Sequence, residues 1–382
     1  MQFQLTMEQK DIQKAAREFA EGEFRDIARE CEQKEEVPRA LIKKGAELGF
    51  VGVFIPEAYG GAGLGFLEQT LIAEEFWRID PGIGQQFSSV TFGAEEFILY
   101  GTEEQKRGYL TRLVTGDAVM GFAITEPNAG SDAGAGTTSA ILVDDQWIVN
   151  GNKVMIGNGT VADFMLVFCQ TDAEVPTKSK RHSIILVETD NPGYEADKIT
   201  GKMGIRASDT ANVFFADVRV PQSNLIGTRG NGFSQLMNFF DRSRCYVSGH
   251  GVGLAQGALE MAIRHVKTRE QFGQKLAGFQ VTQFKIAEMA TKIELARTLA
   301  YRAAGQLDSG IVDAKIVAMA KMNAGRTAVE VVDEALQLHG GYGYMDDTDV
   351  ERFYRAAKVL EIYEGTKEVE KIVIGRRLLG RF

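Results

Sequence analysis

The feature that most constrains this chain is a change of hydrophobic period, from helical to extended and back to helical. Near the N-terminus Ile12, Ala15, Ala16 and Phe19 fall at i, i+3, i+4 and i+7, the spacing of a helix with one buried stripe. Further helical stretches cover 39–48, 66–78 and 103–113, with Tyr59-Gly60-Gly61 and Pro81-Gly82 as breaks between them. From Val119 short β-branched and aromatic runs take over, at 140–143, 146–149, 164–168, 183–187 and 213–220. Asp144-Asp145 and Asn191-Pro192-Gly193 supply turns between them. After Gly232 the helical period returns in three stripes: Phe233, Leu236, Met237 and Phe240; Ile286, Met289, Ala290 and Ile293; Ala328, Val331, Val332 and Ala335. A last helix is expected from Thr366 as N-cap, with Glu368 and Glu370 in its first turns and Arg376-Arg377 near its end. The pattern predicts an α+β multidomain chain, since 382 residues exceed one ordinary core. Its parts are an N-terminal α-helical domain over 1–117, a middle β domain over 118–225 and a C-terminal four-helix bundle domain over 226–382.

Bulk properties exclude several functions. Hydrophobic content of 44% and charged content of 25% fit a soluble globular protein. A formal net charge of −9 argues against general nucleic-acid binding, which needs a basic surface. Cys31, Cys169 and Cys245 are too far apart for a disulfide framework, and the four histidines lack metal-ligand spacing, so no metal is expected. Met1-Gln2-Phe3-Gln4-Leu5 shows no secretion leader, and no apolar run would span a bilayer. The expected location is cytoplasmic, or the mitochondrial matrix if a presequence has been removed. Gly249-His250-Gly251-Val252-Gly253 lacks the last glycine of a dinucleotide fingerprint and sits in a helical pattern, which points to close helix packing.

Five strings carry candidate chemistry. Phe122-Ala123-Ile124-Thr125 runs into the hydroxyl-rich loop Glu126-Pro127-Asn128-Ala129-Gly130-Ser131-Asp132, where Thr125 and Ser131 would serve equally to pin a loop. Phe240-Asp241-Arg242-Ser243-Arg244 reads as a charged helix segment, with Arg244 and Asp241 a possible surface pair. Thr268-Arg269-Glu270-Gln271-Phe272-Gly273 is a charged helix end stopping at glycine. Gln337-Leu338-His339-Gly340-Gly341 brings glycines whose N–H groups approach phosphate closely. Ile362-Tyr363-Glu364-Gly365-Thr366 sets one carboxylate between apolar residues and a helix start, where burial tunes it as a base.

Taken in order along nearly the whole chain, these strings resemble the acyl-CoA dehydrogenase family of flavoproteins. The resemblance implies a helical domain, a β-barrel and a four-helix bundle around FAD. It places Phe122, Ile124, Thr125, Ser131, Met155, Gly157 and Thr366 at the flavin. Arg269, Gln271, Phe272, Gln337, Gly340 and Gly341 would reach the FAD of a neighbouring subunit, with the Arg269 guanidinium on its diphosphate. A homo-oligomer follows, expected to be a tetramer. Ser131, Phe240, Asp241, Arg244, Tyr363 and Gly365 fall on the acyl-CoA side, and Glu364 matches the catalytic base. The implied reaction is α,β-dehydrogenation of an acyl-CoA to the 2,3-enoyl-CoA, with an electron-transferring flavoprotein as acceptor. A flavin oxidase or monooxygenase on the same scaffold, or a non-catalytic flavin-binding interaction protein, are the alternatives. Met155 stands where many relatives have Trp, Gly157 where they have a hydroxyl residue, and Ala356 where they have Asp. The first two changes should alter redox tuning and electron exit. The implied thioester is short-chain, branched or alicyclic, and the stretch 87–92, with its Ser and Thr, suits a short, alicyclic or mildly polar acyl group as well as a linear one.

Overall fold

The computed structural model describes residues 4–380; residues 1–3 lie outside it, and with them most of the string in which a leader was sought. The first helix, Met7–Glu23, starts at a capping box: Thr6 Oγ1 accepts from Gln9 N at 3.2 Å, and Gln9 Oε1 accepts from Thr6 N at 3.0 Å. It buries Ala16, Phe19 and Ala20 against the Phe66–Ile79 helix, with Phe19 and Phe76 ring centroids 5.8 Å apart. Pro81–Ser89 is helical where the sequence offered only a Pro-Gly break. Asp80 accepts from Ile83 N at 2.8 Å, and Pro81 occupies the first helical position, where its missing N–H costs nothing. The 103–113 stretch is helical but contains a π turn, Lys106–Leu110.

Eight strands follow: β1 (Met120–Ala123), β2 (Ser139–Val143), β3 (Gln146–Gly157), β4 (Phe164–Gln170), β5 (His182–Glu188), β6 (Tyr194–Lys198), β7 (Thr210–Pro221) and β8 (Leu225–Ile226). They form one sheet in the order β6-β7-β3-β2-β4-β5-β8, with β1 parallel to β4. β4 and β5 are buried on both faces, which explains their unbroken apolar runs. Met165, Val167, Ile185 and Val187 face a core with Trp147, Val213 and Phe215, and the sheet curls around it. Phe164, Leu166, Phe168, Ile184 and Leu186 face the opposite way, onto Phe97, Leu110 and Phe239 of the helices.

Four long helices complete the chain: Gly232–Thr268, Gln280–Asp308, Ala314–His339 and Lys367–Leu379. Thr366 caps the last as expected, its side chain accepting from Val369 N. The Gly249–Gly257 region is a packing surface. A Cβ at Gly253 would lie 2.0 Å from Glu74 O, and one at Gly251 2.6 Å from Ala324 O, so only glycine lets these helix backbones approach. Among the described residues no helix is long and apolar enough to cross a membrane, and no cluster of potential ligands could hold a metal ion.

The helix Ala94–Tyr100 carries two consecutive buried acids, Glu95 and Glu96. Burial, reinforced by Glu95, pushes Glu96 up to about 8 from an ordinary 4.5. Gln235 Nε2 donates to Glu96 Oε2 at 3.4 Å, while Glu96 Oε1 and Gln235 Oε1 are buried without a partner. The folded chain therefore binds the Glu96 proton more tightly than the unfolded chain, so its stability falls as pH rises from the ordinary carboxylate range to about 8. Glu96→Gln removes that titration. Between about pH 5 and pH 8.5 its Tm should fall less than that of the wild type by roughly 2–4 °C in thermal scans. Parallel Tm–pH curves would refute the assignment.

Candidate active site

The turn Tyr363-Glu364-Gly365-Thr366 carries two successive positive φ angles, 57° at Glu364 and 99° at Gly365. A left-handed glutamate costs about 1–3 kcal/mol and persists only where its surroundings impose it. Here two buried cations do so. Arg244 Nε donates to Glu364 O at 2.7 Å, and Lys321 Nζ donates to Gly365 O. A Cβ at residue 365 would lie 2.2 Å from Glu370 Oε1 and 2.7 Å from Arg244 Nη2, so the glycine is required. With the backbone held in this way, the Glu364 carboxylate meets the Gly232–Thr268 helix, where Ser243 Oγ donates to Oε2 at 2.5 Å. Among the described residues no acceptor takes the Glu364 N–H.

Glu364 keeps part of its surface open, while protein atoms crowd closely around the rest. Burial raises its proton affinity, against the Ser243 hydrogen bond and the charges of Arg244 and Lys321. Behind it lies Glu370, fully buried and 3.2 Å from Arg244 Nε. Burial pushes Glu370 up and Lys321 down, while their mutual attraction opposes both shifts. Arg244 is thus no surface partner of Asp241. It is buried, bridges Glu364 O to Glu370, and lies over the Phe240 ring at 5.0 Å. Asp241 is half-buried, with burial raising its proton affinity.

On the other side Tyr363 OH lies 2.8 Å from His250 Nδ1, and His250 Nε2 lies 3.0 Å from Ser88 Oγ. The His250 ring stacks on Trp77 at 4.6 Å, and burial pushes its pKa down to about 3, so a neutral imidazole joins the two hydroxyls. Phe92 and Tyr363 both pack against the cluster of Ala73, Tyr246 and Val247, and the Phe92 ring lies 4.8 Å from that of Phe239. Phe239 in turn lies 5.2 Å from Phe122 at the end of β1, with Ile124 and Phe240 packed against the same cluster.

The loop after β1 is tied to β3. Val154 N donates to Thr125 O at 2.9 Å. The buried Lys153 ammonium donates to Ile124 O (2.9 Å), Phe168 O (2.8 Å) and Glu126 Oε1 (2.9 Å). Burial opposes the Glu126 charge, yet Lys153 and the Thr137 amide hold its pKa at about 2. Ser131 is exposed on the turn beyond. Next to Thr125, Met155 is 67% exposed at φ 59°, and a Cβ at Gly157 would meet open space.

Arg269, Gln271, Phe272, Gln337, Gly340 and Gly341 gather elsewhere. The Arg269 guanidinium lies 5.4 Å over the Tyr342 ring, beside the Gly340–Tyr344 turn. Phe272 is 93% exposed at φ 53°, in the two-strand hairpin that follows the long helix. Twenty-five residues separate Arg244 from Arg269, nearly all of them helical, which is roughly 37 Å of rise. Within one chain this cluster cannot join Glu364.

Ser243, Lys321, Glu370, His250 and the Glu126–Lys153 pair were not singled out from the sequence. Lys321 left a signal, a lone cation among Val317, Ala318, Ala320 and Ala324. Glu370 reads in the sequence as a helix-dipole residue, and nothing local distinguishes it.

Three family models match successive parts of the chain: acyl-CoA dehydrogenase N-terminal domain over 6–117, middle domain over 121–218 and C-terminal domain over 230–379. The chain belongs to the acyl-CoA dehydrogenase family. As such it is a FAD-dependent oxidoreductase. Similar relatives include the acryloyl-CoA reductase (NADH) of Anaerotignum propionicum, 42% identical over 100% of this chain and 97% of that one. The short-chain specific acyl-CoA dehydrogenase of Clostridium acetobutylicum is 40% identical over 99% and 100%. Butyryl-CoA dehydrogenase from Megasphaera elsdenii has the same fold, with TM-score 0.96, 37% identity and coverage of 99% and 100%. A chain solved in work on the electron transferring flavoprotein of Acidaminococcus fermentans matches with TM-score 0.97 and 42% identity over 100% of both chains. The residues present fit the family's cofactor. The open strip at Met155 and Gly157, beside Thr125 and backed by the end of β1, offers a flat ring system an unobstructed face with backbone groups at its edge.

Proposed function

We propose that this acyl-CoA dehydrogenase family member oxidises short-chain acyl-CoA thioesters to 2,3-enoyl-CoA, with Glu364 as the base that removes the α-proton. The observation that carries the proposal is the Glu364 carboxylate, desolvated and aimed by a strained turn whose two carbonyls are held by Arg244 and Lys321. An α-proton beside a thioester is weakly acidic, so its base needs raised proton affinity and fixed geometry, and burial supplies the first. The unengaged Glu364 N–H would donate to the thioester oxygen as negative charge develops there. Bound FAD would supply the acceptor for the β-hydride. Phe122, Ile124, Thr125, Ser131, Met155, Gly157 and Thr366 would hold the flavin. Phe240, Asp241, Arg244, Tyr363 and Gly365 would line the substrate side with Ser131. Anaerobic addition of butyryl-CoA to the holoprotein should bleach the flavin. Failure of every short-chain, branched and alicyclic thioester to do so would reject the proposal.

Acryloyl-CoA reductase among the relatives favours a second reading, reduction of an enoyl-CoA, in which Glu364 returns the proton to the α-carbon. Reoxidation of the reduced flavin by crotonyl-CoA, faster than its reduction by butyryl-CoA, would favour that direction. The relative named caffeyl-CoA reductase-Etf complex subunit, from Acetobacterium woodii and 38% identical, supports an electron-transferring flavoprotein as partner.

The FAD site is further proposed to be completed across a subunit interface, because Arg269, Gln271, Phe272, Gln337, Gly340 and Gly341 are exposed and far from Glu364. Arg269→Ala should cut FAD retention about tenfold or more, as expected when a guanidinium–phosphate pair is lost, and loosen the oligomer on size exclusion. Full FAD occupancy in a monomer would overturn this.

A further inference from the structure

Lys153 is fully buried, and its ammonium directs all three protons at fixed acceptors: Ile124 O at 2.9 Å, Phe168 O at 2.8 Å and Glu126 Oε1 at 2.9 Å. The Glu126 carboxylate accepts in turn from Thr137 N at 2.7 Å and Thr138 N at 2.9 Å, which closes the loop 126–138 onto the same point. Just past Lys153 the strand changes partner. The β3–β7 pairing shifts register between Lys153 and Ile156, Met155 takes φ 59°, and Val154 N donates to Thr125 O at 2.9 Å. Two successive carbonyls of the loop after β1, those of Ile124 and Thr125, are thus held from β3. The peptide bonds of the described residues are all trans, so each C=O points opposite to the N–H of the next residue. Holding Ile124 O therefore turns the Thr125 N–H away from the ammonium. Among the described residues no acceptor takes that N–H.

We propose that Lys153 is a positioning residue of the flavin site, which aims the free Thr125 N–H at an acceptor atom on the edge of the bound flavin. The assignment rests on the flavin placement proposed above, in which Thr125, Met155 and Gly157 hold the ring. A donor serves such an edge only in a fixed direction, because hydrogen bonds weaken steeply as they bend. The Thr125 peptide cannot swing without breaking both the Lys153 and the Val154 bonds. Glu126 completes the device, since a buried ammonium with no counter-charge is costly. A donor at the ring edge also favours the electron-rich reduced flavin over the oxidised one, so its loss lowers the midpoint potential.

The test separates flavin positioning from stability. Lys153→Met keeps the apolar stem and removes the donors, but leaves the Glu126 charge buried. Lys153→Met/Glu126→Gln removes that charge as well, and its amide oxygen can still accept from a threonine N–H. FAD Kd, the flavin midpoint potential and the Tm of the FAD-free protein are measured for wild type and both variants. Lys153→Met should weaken FAD binding about tenfold or more and lower both the potential and the Tm. In the double variant the Tm should return most of the way, while Kd and potential stay shifted. Recovery of all three together would show that Lys153 serves stability alone and overturn the assignment, as would a wild-type Kd and potential in Lys153→Met. Should neither variant fold, or the Tm stay low in both, hydrogen exchange in the wild type decides. FAD should slow exchange of the Thr125 amide and leave the Val154, Thr137 and Thr138 amides, already bonded without it, largely unchanged. A Thr125 amide indifferent to FAD, or protection of the other three that appears only with FAD, overturns the assignment. None of these measurements involves a thioester, so failure of butyryl-CoA to bleach the wild type would reject the proposed reaction and leave the role of Lys153 standing.

Discussion

Glu364→Gln should lower anaerobic flavin reduction by butyryl-CoA roughly 10²–10⁴-fold, the usual loss when a positioned general base is removed. The amide keeps the size of the side chain and an oxygen for Ser243 Oγ, which donates to Oε2 at 2.5 Å in the wild type. The backbone contacts from Arg244 and Lys321 do not involve the carboxylate, so the turn should hold. FAD content and thioester binding should therefore survive while the chemical step fails. With Glu364 as the proposed base, activity requires the ionised carboxylate, and burial holds its pKa above the ordinary 4.5. The acidic limb of the rate profile should accordingly lie above the ordinary carboxylate range and vanish in the variant. Single-turnover reduction equal to wild type would show that another group is the base.

Arg244→Met should destabilise the protein by about 3 kcal/mol near neutral pH. Breaking a buried pair costs about 3–5 kcal/mol because one charge stays behind, and Lys321 beside Glu370 keeps the loss near the lower end. Arg244 lowers the pKa of both Glu370 and Glu364, so its removal raises both. The folded variant then binds protons more tightly than the unfolded chain over a wider range above 4.5. Its deficit against wild type should grow as pH rises and shrink toward about pH 5, where Glu370 is neutral. The acidic limb of the flavin-reduction rate should also move to higher pH. Denaturant unfolding at about pH 5 and pH 8 measures the first effect, and stopped-flow rates across the same range measure the second. Equal deficits at both pH values would show that Arg244 acts by packing alone.

Much of the chain was legible because its periods are strong. The Ala328, Val331, Val332 and Ala335 stripe is wholly buried, and β4 and β5 read as unbroken apolar runs because both faces are covered. Pro81–Ser89 escaped notice because a proline at the first helical position looks, in a linear text, like a proline that ends a helix. What the hydroxyls of the stretch 87–92 meet was not legible for a different reason. Whether a serine hydroxyl faces ligand or protein depends on partners such as His250, 162 residues away from Ser88.

The sequence by itself determined the family, the order of helical and extended parts, and the Glu364 position, because each is carried by local pattern or contiguous motif. Tertiary structure alone decided what surrounds that glutamate. Ser243, Arg244, Lys321 and Glu370 come from three helices, and their roles arise from burial and distance, which linear spacing does not encode. Proton affinity depends on desolvation and on charges within a few ångströms, so the tuning of Glu364 exists only once the Gly232–Thr268 and Ala314–His339 helices pack against the Tyr363–Thr366 turn.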